Sequence, residues 1–286
     1  MTKLKRTIQP TARNDLASTD LNNSDVPPNM DRSAIRLGSV ERASMDHTLV
    51  RPNLLILVCT YNERENLPLL FEQLQSVVPT AHILVVDDNS PDQTGQWVEE
   101  QSRTDPRIHL IARPGKQGLG TAIRDGMNFG LQHGYQWLIN LDGDLSHDPR
   151  AIHSMLRERE SCDLAIGSRY VPGGGMVGCS WRRIGVSRCA NILARLIVGW
   201  RIRDCSSAYR MYRFDSLRAV RIDELKETGY GYLEEILAHL IRSGAKIVEL
   251  PIIYTERRQG KSKISLREAR STFSALLRCA QILKHQ

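Results

Sequence analysis

From Asn53 onward, short apolar runs rich in β-branched residues recur along the chain: Leu54 to Val58, Ile83 to Val86, Ile108 to Ile111 and Trp137 to Leu141. They are apolar at nearly every position rather than every second one, which predicts strands buried on both faces, as in a parallel sheet. The stretches between them, about 64–78, 93–104 and 118–133, carry apolar residues at helical spacing. Strand and helix therefore alternate as βαβ units require, and the chain reads as α/β with a doubly wound, mostly parallel sheet. A helix near 148–158, a strand from Leu164 to Gly167 and a glycine cluster at Gly173-Gly174-Gly175 follow, after which the pattern is less regular. Residues 181–200 and 265–284 set broad apolar helical faces beside arginines, the pattern of helices that pack on a domain or lie on a membrane interface. Residues 1–50 are rich in Asn, Ser, Thr and Asp, contain Pro27-Pro28 and hold no period, which predicts a disordered extension.

Composition narrows this picture. The chain has 286 residues, 41% of them hydrophobic, enough for a sizeable core. Its six cysteines are scattered without a Cys-x-x-Cys pair, which argues against a zinc ribbon or a disulfide framework and fits a reducing cytosol. No run of 18 apolar residues exists, so the chain reads as soluble or peripheral to a membrane. The net charge of +7 is concentrated late: residues 182–213 hold eight arginines against the single acid Asp204, and residues 251–286 hold eight Lys or Arg against Glu256 and Glu268. Such faces suit anionic partners. With no helix-turn-helix, zinc finger or aromatic RNA-binding signature, phosphorylated lipid or an anionic membrane is favoured over nucleic acid.

The fourth apolar run ends in Asp142-Gly143-Asp144. Alternate residues of a strand share a face, so both carboxylates can reach one point, and two such oxygens suit Mg²⁺ or Mn²⁺. The same tripeptide is ordinary turn chemistry. Tyr61-Asn62-Glu63 and Asp87-Asp88 also fall at strand ends, where open α/β sheets collect ligands, and that convergence favours the metal reading. The glycines of Arg113-Pro-Gly-Lys-Gln-Gly-Leu-Gly-Thr121 fit neither a Walker A loop nor the dinucleotide fingerprint, and read as a loop opening the next helix, its amides available to an anion.

Eight segments occur in order: Thr60 to Asn66, Val85 to Asp92, Arg113 to Thr121, Asp142 to His147, Gly167 to Tyr170, Ser187 to Asn191, Asp204 to Arg210, and Arg257 to Lys263. Together they resemble the family 2 inverting glycosyltransferases, and among them the dolichol-phosphate (polyprenol-phosphate) mannosyltransferases, over about residues 53–265. The resemblance implies a GT-A fold, a catalytic domain over 51–265 and a C-terminal amphipathic helix at 266–286 of membrane-interfacial character. It implies transfer of mannose from GDP-mannose to a polyprenyl phosphate, with Mg²⁺ or Mn²⁺, at the cytoplasmic face of a membrane, where a membrane-anchoring partner protein would hold the chain. Tyr61, Glu63, Val86 and Asp88 would hold the base and ribose. Asp142, Gly143 and Asp144 would form the metal and diphosphate site, with Asp144 catalytic and Ser146 a weaker ligand. Arg169, Arg257 and Lys263 would bind phosphates, the last two carrying the acceptor. Two departures stand out: Cys59 replaces a proline, and Ala208 a glycine, which puts the shape of the acceptor pocket in question.

Other readings predict different behaviour. A polyprenol-phosphate glucosyltransferase would use UDP-glucose, and a cell-envelope polysaccharide glycosyltransferase would need no lipid phosphate. A silent nucleotide-sugar or membrane-binding module would release no nucleotide, and RNA binding would show steep salt dependence.

Overall fold

The computed structural model describes residues 53–198, 201–229, 231–256 and 266–284, with side chains placed except at 197, 198 and 266–274. The extension expected over residues 1–50 lies outside them. The first half runs β1 (Leu54–Thr60), α1 (Leu67–Val77), β2 (His82–Asp87), α2 (Thr94–Thr104), β3 (Ile108–Ala112), α3 (Leu119–His133) and β4 (Trp137–Asp142). Every strand and helix expected there is present, within three residues at each end. A 3₁₀ turn at Pro149–Ala151 leads to α4 (Ile152–Arg157), β5 (Leu164–Ser168), β6 (Gly175–Val177) and α5 (Trp181–Val198). The chain continues through β7 (Arg210–Arg213), α6 (Phe214–Ala219), α7 (Tyr232–Arg242), β8 (Ile247–Pro251), β9 (Ile253–Thr255) and α8 (Leu266–Lys284).

Seven strands form one sheet in the order β3-β2-β1-β4-β7-β5-β8, and β6 pairs with β9 in a small second sheet. The large sheet is parallel except for β7, which runs antiparallel between β4 and β5. That inversion corrects the simple doubly wound expectation. Strand parity divides the core: Leu55, Leu57, Leu84 and Val86 face α3 and α7, while Ile56, Val58, Ile83 and Val85 face α1. Helix α3 lies close to the sheet because Gly126 faces Leu57 and Gly130 faces Phe214, where an added methyl group would collide with each side chain.

Strand order reverses between β1 and β4, the topological switch point at which open α/β sheets form their ligand crevice. There Cys59 is in register with Asp142 and Thr60 with Asp87. The sheet thus brings the ends of β1, β2 and β4 side by side.

A buried polar cluster lies under the later strands. Arg210, fully buried at the start of β7, donates to the carbonyls of Ser207, Cys205 and Leu233. Glu234, on α7, is buried with an Oε2 that has no hydrogen-bond partner among the described residues. Burial, only partly countered by the charge of Arg210, pushes its pKa up to about 7. The folded chain therefore holds this proton more tightly than the unfolded chain, whose reference value is 4.5. Stability from this group is fully present below the unfolded value and declines as pH rises toward about 7. Glu234→Gln is expected to flatten that decline and to stabilise the protein at pH 8 by on the order of 3 kcal/mol, read from urea unfolding at pH 5 and pH 8. An unchanged pH dependence would contradict the assignment.

Candidate active site

Backbone amides of the first strand-end loop are caught by side chains of the second. Asn62 N–H donates to Ser90 Oγ (2.9 Å), Glu63 N–H to Thr94 Oγ1 (3.1 Å) and Arg64 N–H to Asp92 Oδ2 (3.0 Å). Asn62 takes a positive φ of 64°, which Asn tolerates better than most residues. Asp87 accepts from Thr60 Oγ1, Ser90 N–H and Ser90 Oγ, so it organises the two loops. Asp88 is buried and ion-paired with the equally buried Arg113, which presents its carboxylate in one fixed orientation.

Arg113 also donates to Thr121 Oγ1 and the Gly118 carbonyl, closing the glycine loop. The amide of Gly120 donates to the Thr228 carbonyl at 2.9 Å, and a side chain at Gly118 or Gly120 would strike the Thr228–Gly229 backbone. The Gly120 amide is thereby occupied by protein, so at this residue the glycines serve close packing rather than anion binding. Tyr61 keeps an open ring, 40% exposed, with the Lys116 ammonium 4.3 Å from its centroid. The side chain of Val86 is fully buried in the core between the sheet and α3, because even positions of β2 face that layer, which leaves its backbone as the part that can meet a donor.

Asp142 and Asp144 leave the end of β4 on either side of Gly143, whose Cα face lies against Val58, Thr60 and Glu63. A methyl group at Gly143 would come within 3.5 Å of Glu63 Cγ, so the first and fourth strand ends are in contact. Asp144 is buried, and its Oδ1 accepts both the amide (3.0 Å) and the hydroxyl (2.5 Å) of Ser146. Ser146, expected as a weaker ligand, donates its amide and hydroxyl to Asp144 and so orients that carboxylate. Sequence reasoning gave no role to His147, which is buried, stacks on Tyr209 and accepts the Asp142 amide at Nδ1 (3.3 Å). Burial lowers its pKa against the pull of Asp142 and Asp144, so the ring is held neutral, with Nδ1 as acceptor. His147, Tyr209 and Tyr254 stand far apart in the sequence without any shared pattern, and only the fold brings their rings together.

Arg169, expected as a phosphate ligand, is bound to protein. Its Nε and Nη2 grip the two oxygens of fully buried Asp204 (2.8 and 2.7 Å), and Nη2 also donates to Ser206 Oγ. Burial opposes its charge, and the hydrogen bonds and charge of Asp204 outweigh that, raising its pKa above the ordinary value. The inward face of α5 joins this cluster: Asn191 donates to Ser206 Oγ and accepts the Cys205 amide, and Ser187 Oγ is 2.8 Å from Tyr170 Oη. Arg183, also missed, reaches Glu256 at 2.7 Å and Tyr254 Oη at 3.3 Å. Two guanidiniums, those of Arg169 and Arg183, stand 5.9 and 6.0 Å from the Tyr254 ring centre. Strand β9 meets the Asp142–His147 loop where Thr255 N–H donates to the Ser146 carbonyl, so these cations border the carboxylate pair. Arg257 and Lys263 lie outside the described residues.

Residues 55–221 match the family model described as glycosyl transferase family 2. A polyprenol monophosphomannose synthase of Mycolicibacterium smegmatis is 42% identical over 234 residues, 79% of this chain and 88% of the relative. An undecaprenyl-phosphate mannosyltransferase of Micrococcus luteus is 41% identical over 211 residues, 74% of this chain and 87% of the relative. Among solved structures, glucosyl-3-phosphoglycerate synthase of Mycobacterium tuberculosis, in complex with Mn²⁺, UDP and glucosyl-3-phosphoglycerate, superposes with a TM-score of 0.58 at 14% identity, covering 80% of each chain. That likeness establishes the GT-A architecture. On its sequence and its fold, the chain belongs to glycosyltransferase family 2.

Proposed function

We propose that the protein transfers one mannosyl residue from GDP-mannose to the phosphate of a polyprenol, with inversion at the sugar carbon. The observation that carries the reading is the meeting, at the switch point of the sheet, of the Asp142–Asp144 pair with the cations around Tyr254. Two relatives above 40% identity bear names for mannosyl transfer to polyprenyl phosphates, which supports both the sugar and the acceptor.

The donor set fits a hard divalent ion. Two carboxylates and a nearby hydroxyl offer oxygen only, and no group of three or more His, Cys, Asp or Glu side chains among the described residues forms a complete metal cage. That suits Mg²⁺ or Mn²⁺, which complete their shell with water and substrate phosphates. When bound, such an ion offsets the charge that grows on the leaving diphosphate. The chain's own residues then have defined tasks. Tyr61 and Glu63 border the nucleoside, and Asp88, fixed by Arg113, faces the same loop. Ser146 holds Asp144 in position, and neutral His147 braces the Asp142 backbone.

On the acceptor side, a lipid monophosphate with a second pKa of about 6 is already largely dianionic near neutral pH, so no general base is required. Arg257 and Lys263 are assigned to hold it in line behind the sugar. Arg183, paired with Glu256, and Arg169, locked to Asp204, border the same space as hydrogen-bond donors whose charges those carboxylates offset. The lipid acceptor places the reaction at a membrane surface in this reading, and no helix of the described residues is long and apolar enough to cross a membrane.

A donor panel tests the reading. Purified protein with a short-chain, water-soluble prenyl phosphate should release GDP from GDP-mannose only when the acceptor and Mg²⁺ or Mn²⁺ are present. Preferential use of UDP-glucose, or nucleotide release indifferent to the prenyl phosphate, would overturn it.

A further inference from the structure

His82 opens β2, His109 lies second in β3 and Tyr135 sits in the turn between α3 and β4, so three elements meet at the end of the sheet away from Asp142. Strand register puts them together. Leu84 is opposite His109, and alternate residues of a strand share a face, so His82 and His109 both project toward α3. His82 Nδ1 is 3.0 Å from His109 Nε2 and 2.9 Å from Tyr135 Oη, and Tyr135 Oη is 3.5 Å from His109 Nε2. Tyr135 is buried and Phe129 stands 5.2 Å from the His109 ring, which gives this triangle a fixed back, while both imidazoles are half-buried and reachable from solvent. Hydrogen bonding alone uses the arrangement poorly. An imidazole nitrogen has a single in-plane direction for its hydrogen or lone pair, and two partners of His82 Nδ1 this far apart cannot both lie along it.

We infer that His82 Nδ1, His109 Nε2 and Tyr135 Oη form a second metal site, for a borderline transition-metal dication of the Zn²⁺, Ni²⁺ or Cu²⁺ class. Ligands about 2.0–2.2 Å from one ion stand roughly 2.9–3.5 Å from each other, so an ion above the triangle meets all three atoms without movement of the backbone. Imidazole nitrogen selects this class, whereas Mg²⁺ seeks oxygen, so the site differs chemically from the Asp142–Asp144 pair. Binding needs both imidazoles neutral, with their hydrogens on the outward nitrogens, His82 Nε2 and His109 Nδ1. Burial, aided by Arg107, lowers the pKa of His82, and burial, aided by His82 and His133, lowers that of His109 to about 4, so both lone pairs are free at neutral pH. Burial keeps the Tyr135 phenol protonated, which makes its oxygen the weakest of the three ligands. The Arg107 cation is taken up by Asp105, which receives its Nε at 3.0 Å and its Nη2 at 2.6 Å, so the approaching ion meets an offset charge. Strand β3 is an edge of the large sheet, and the ion ties that edge to β2 and to the α3–β4 turn. The inference goes beyond sugar transfer: β2 has six residues, so at ~3.3 Å per residue the site lies roughly 17 Å from the strand end that carries Asp87.

The test is calorimetric titration of the intact protein with Zn²⁺ in the presence of excess Mg²⁺, which occupies the carboxylate pair. His82→Phe and His109→Phe should each weaken Zn²⁺ binding at least about tenfold, and Tyr135→Phe, which keeps the ring, by less. A readout on the unaltered chain guards against variants that fold badly. In ¹⁵N-histidine spectra Zn²⁺ should shift His82 Nδ1 and His109 Nε2 while the outward nitrogens keep their hydrogens. Zn²⁺ affinity that all three variants retain would overturn the inference, since the ion would then be held elsewhere. Spectra in which Zn²⁺ leaves those two nitrogens unmoved would overturn it as well, as would displacement of the bound Zn²⁺ by Mg²⁺.

Discussion

Asp144→Asn should lower kcat/KM for mannosyl transfer by about 10³-fold while leaving the thermal midpoint nearly unchanged. The expected size follows from the several kcal/mol that a divalent ion contributes to a phosphate-leaving transition state, at 1.36 kcal/mol per factor of ten. Asn is the informative replacement because it keeps an oxygen at the position that accepts the Ser146 amide and hydroxyl, so the loop retains those bonds while the negative charge is lost. Removal of the divalent ion from the unaltered protein with excess EDTA should give a loss of the same order. A variant that keeps more than a tenth of the activity, or full activity in EDTA, would remove Asp144 from the reaction.

Arg210→Met should cost about 4 kcal/mol of stability, read as a fall in the urea midpoint with an unchanged slope. Met fills much of the volume but leaves the carbonyls of Cys205, Ser207 and Leu233 buried without their donor. It also removes the charge that opposes the burial penalty on Glu234. For a domain whose net stability is typically 5–15 kcal/mol, such a loss approaches unfolding. A cost below 1 kcal/mol would mean that water reaches those carbonyls and that the cluster is less closed than its burial implies.

The N-terminal half of the fold was legible because its strands are buried on both faces, and Leu54–Val58 or Ile83–Val86 announce that without reference to any distant residue. The strand-end carboxylates were legible for the same reason, since their position depends only on where β4 stops. Strand β7 was not: Arg210-Met-Tyr-Arg213 reads as polar, and its burial depends on carbonyls from α7 and the 205–207 loop. The resemblance places Val86 at the donor without saying that strand parity turns its side chain into the core. Arg169 offered a similar difficulty, because a cation in a motif does not disclose that Asp204, 35 residues away, already holds it. Ser90, Asp92 and Thr94 lay in a recognised segment, but their work of binding the amides of residues 62–64 is a tertiary fact.

Strands β5 and β7 are antiparallel neighbours, with Ile166 opposite Arg210, yet the chain between them runs out through β6 and α5 before returning. That excursion is fastened at its base by the Arg169–Asp204 pair. The large sheet holds the two ends of the segment, while β6 pairs with β9 and α5 packs against α7 and α8. Exchange of the segment therefore disturbs contacts well beyond its two ends. An exchange graft cut at Ser168 and Tyr209 must carry surfaces that match β9, α7 and α8 if the domain is to fold around it.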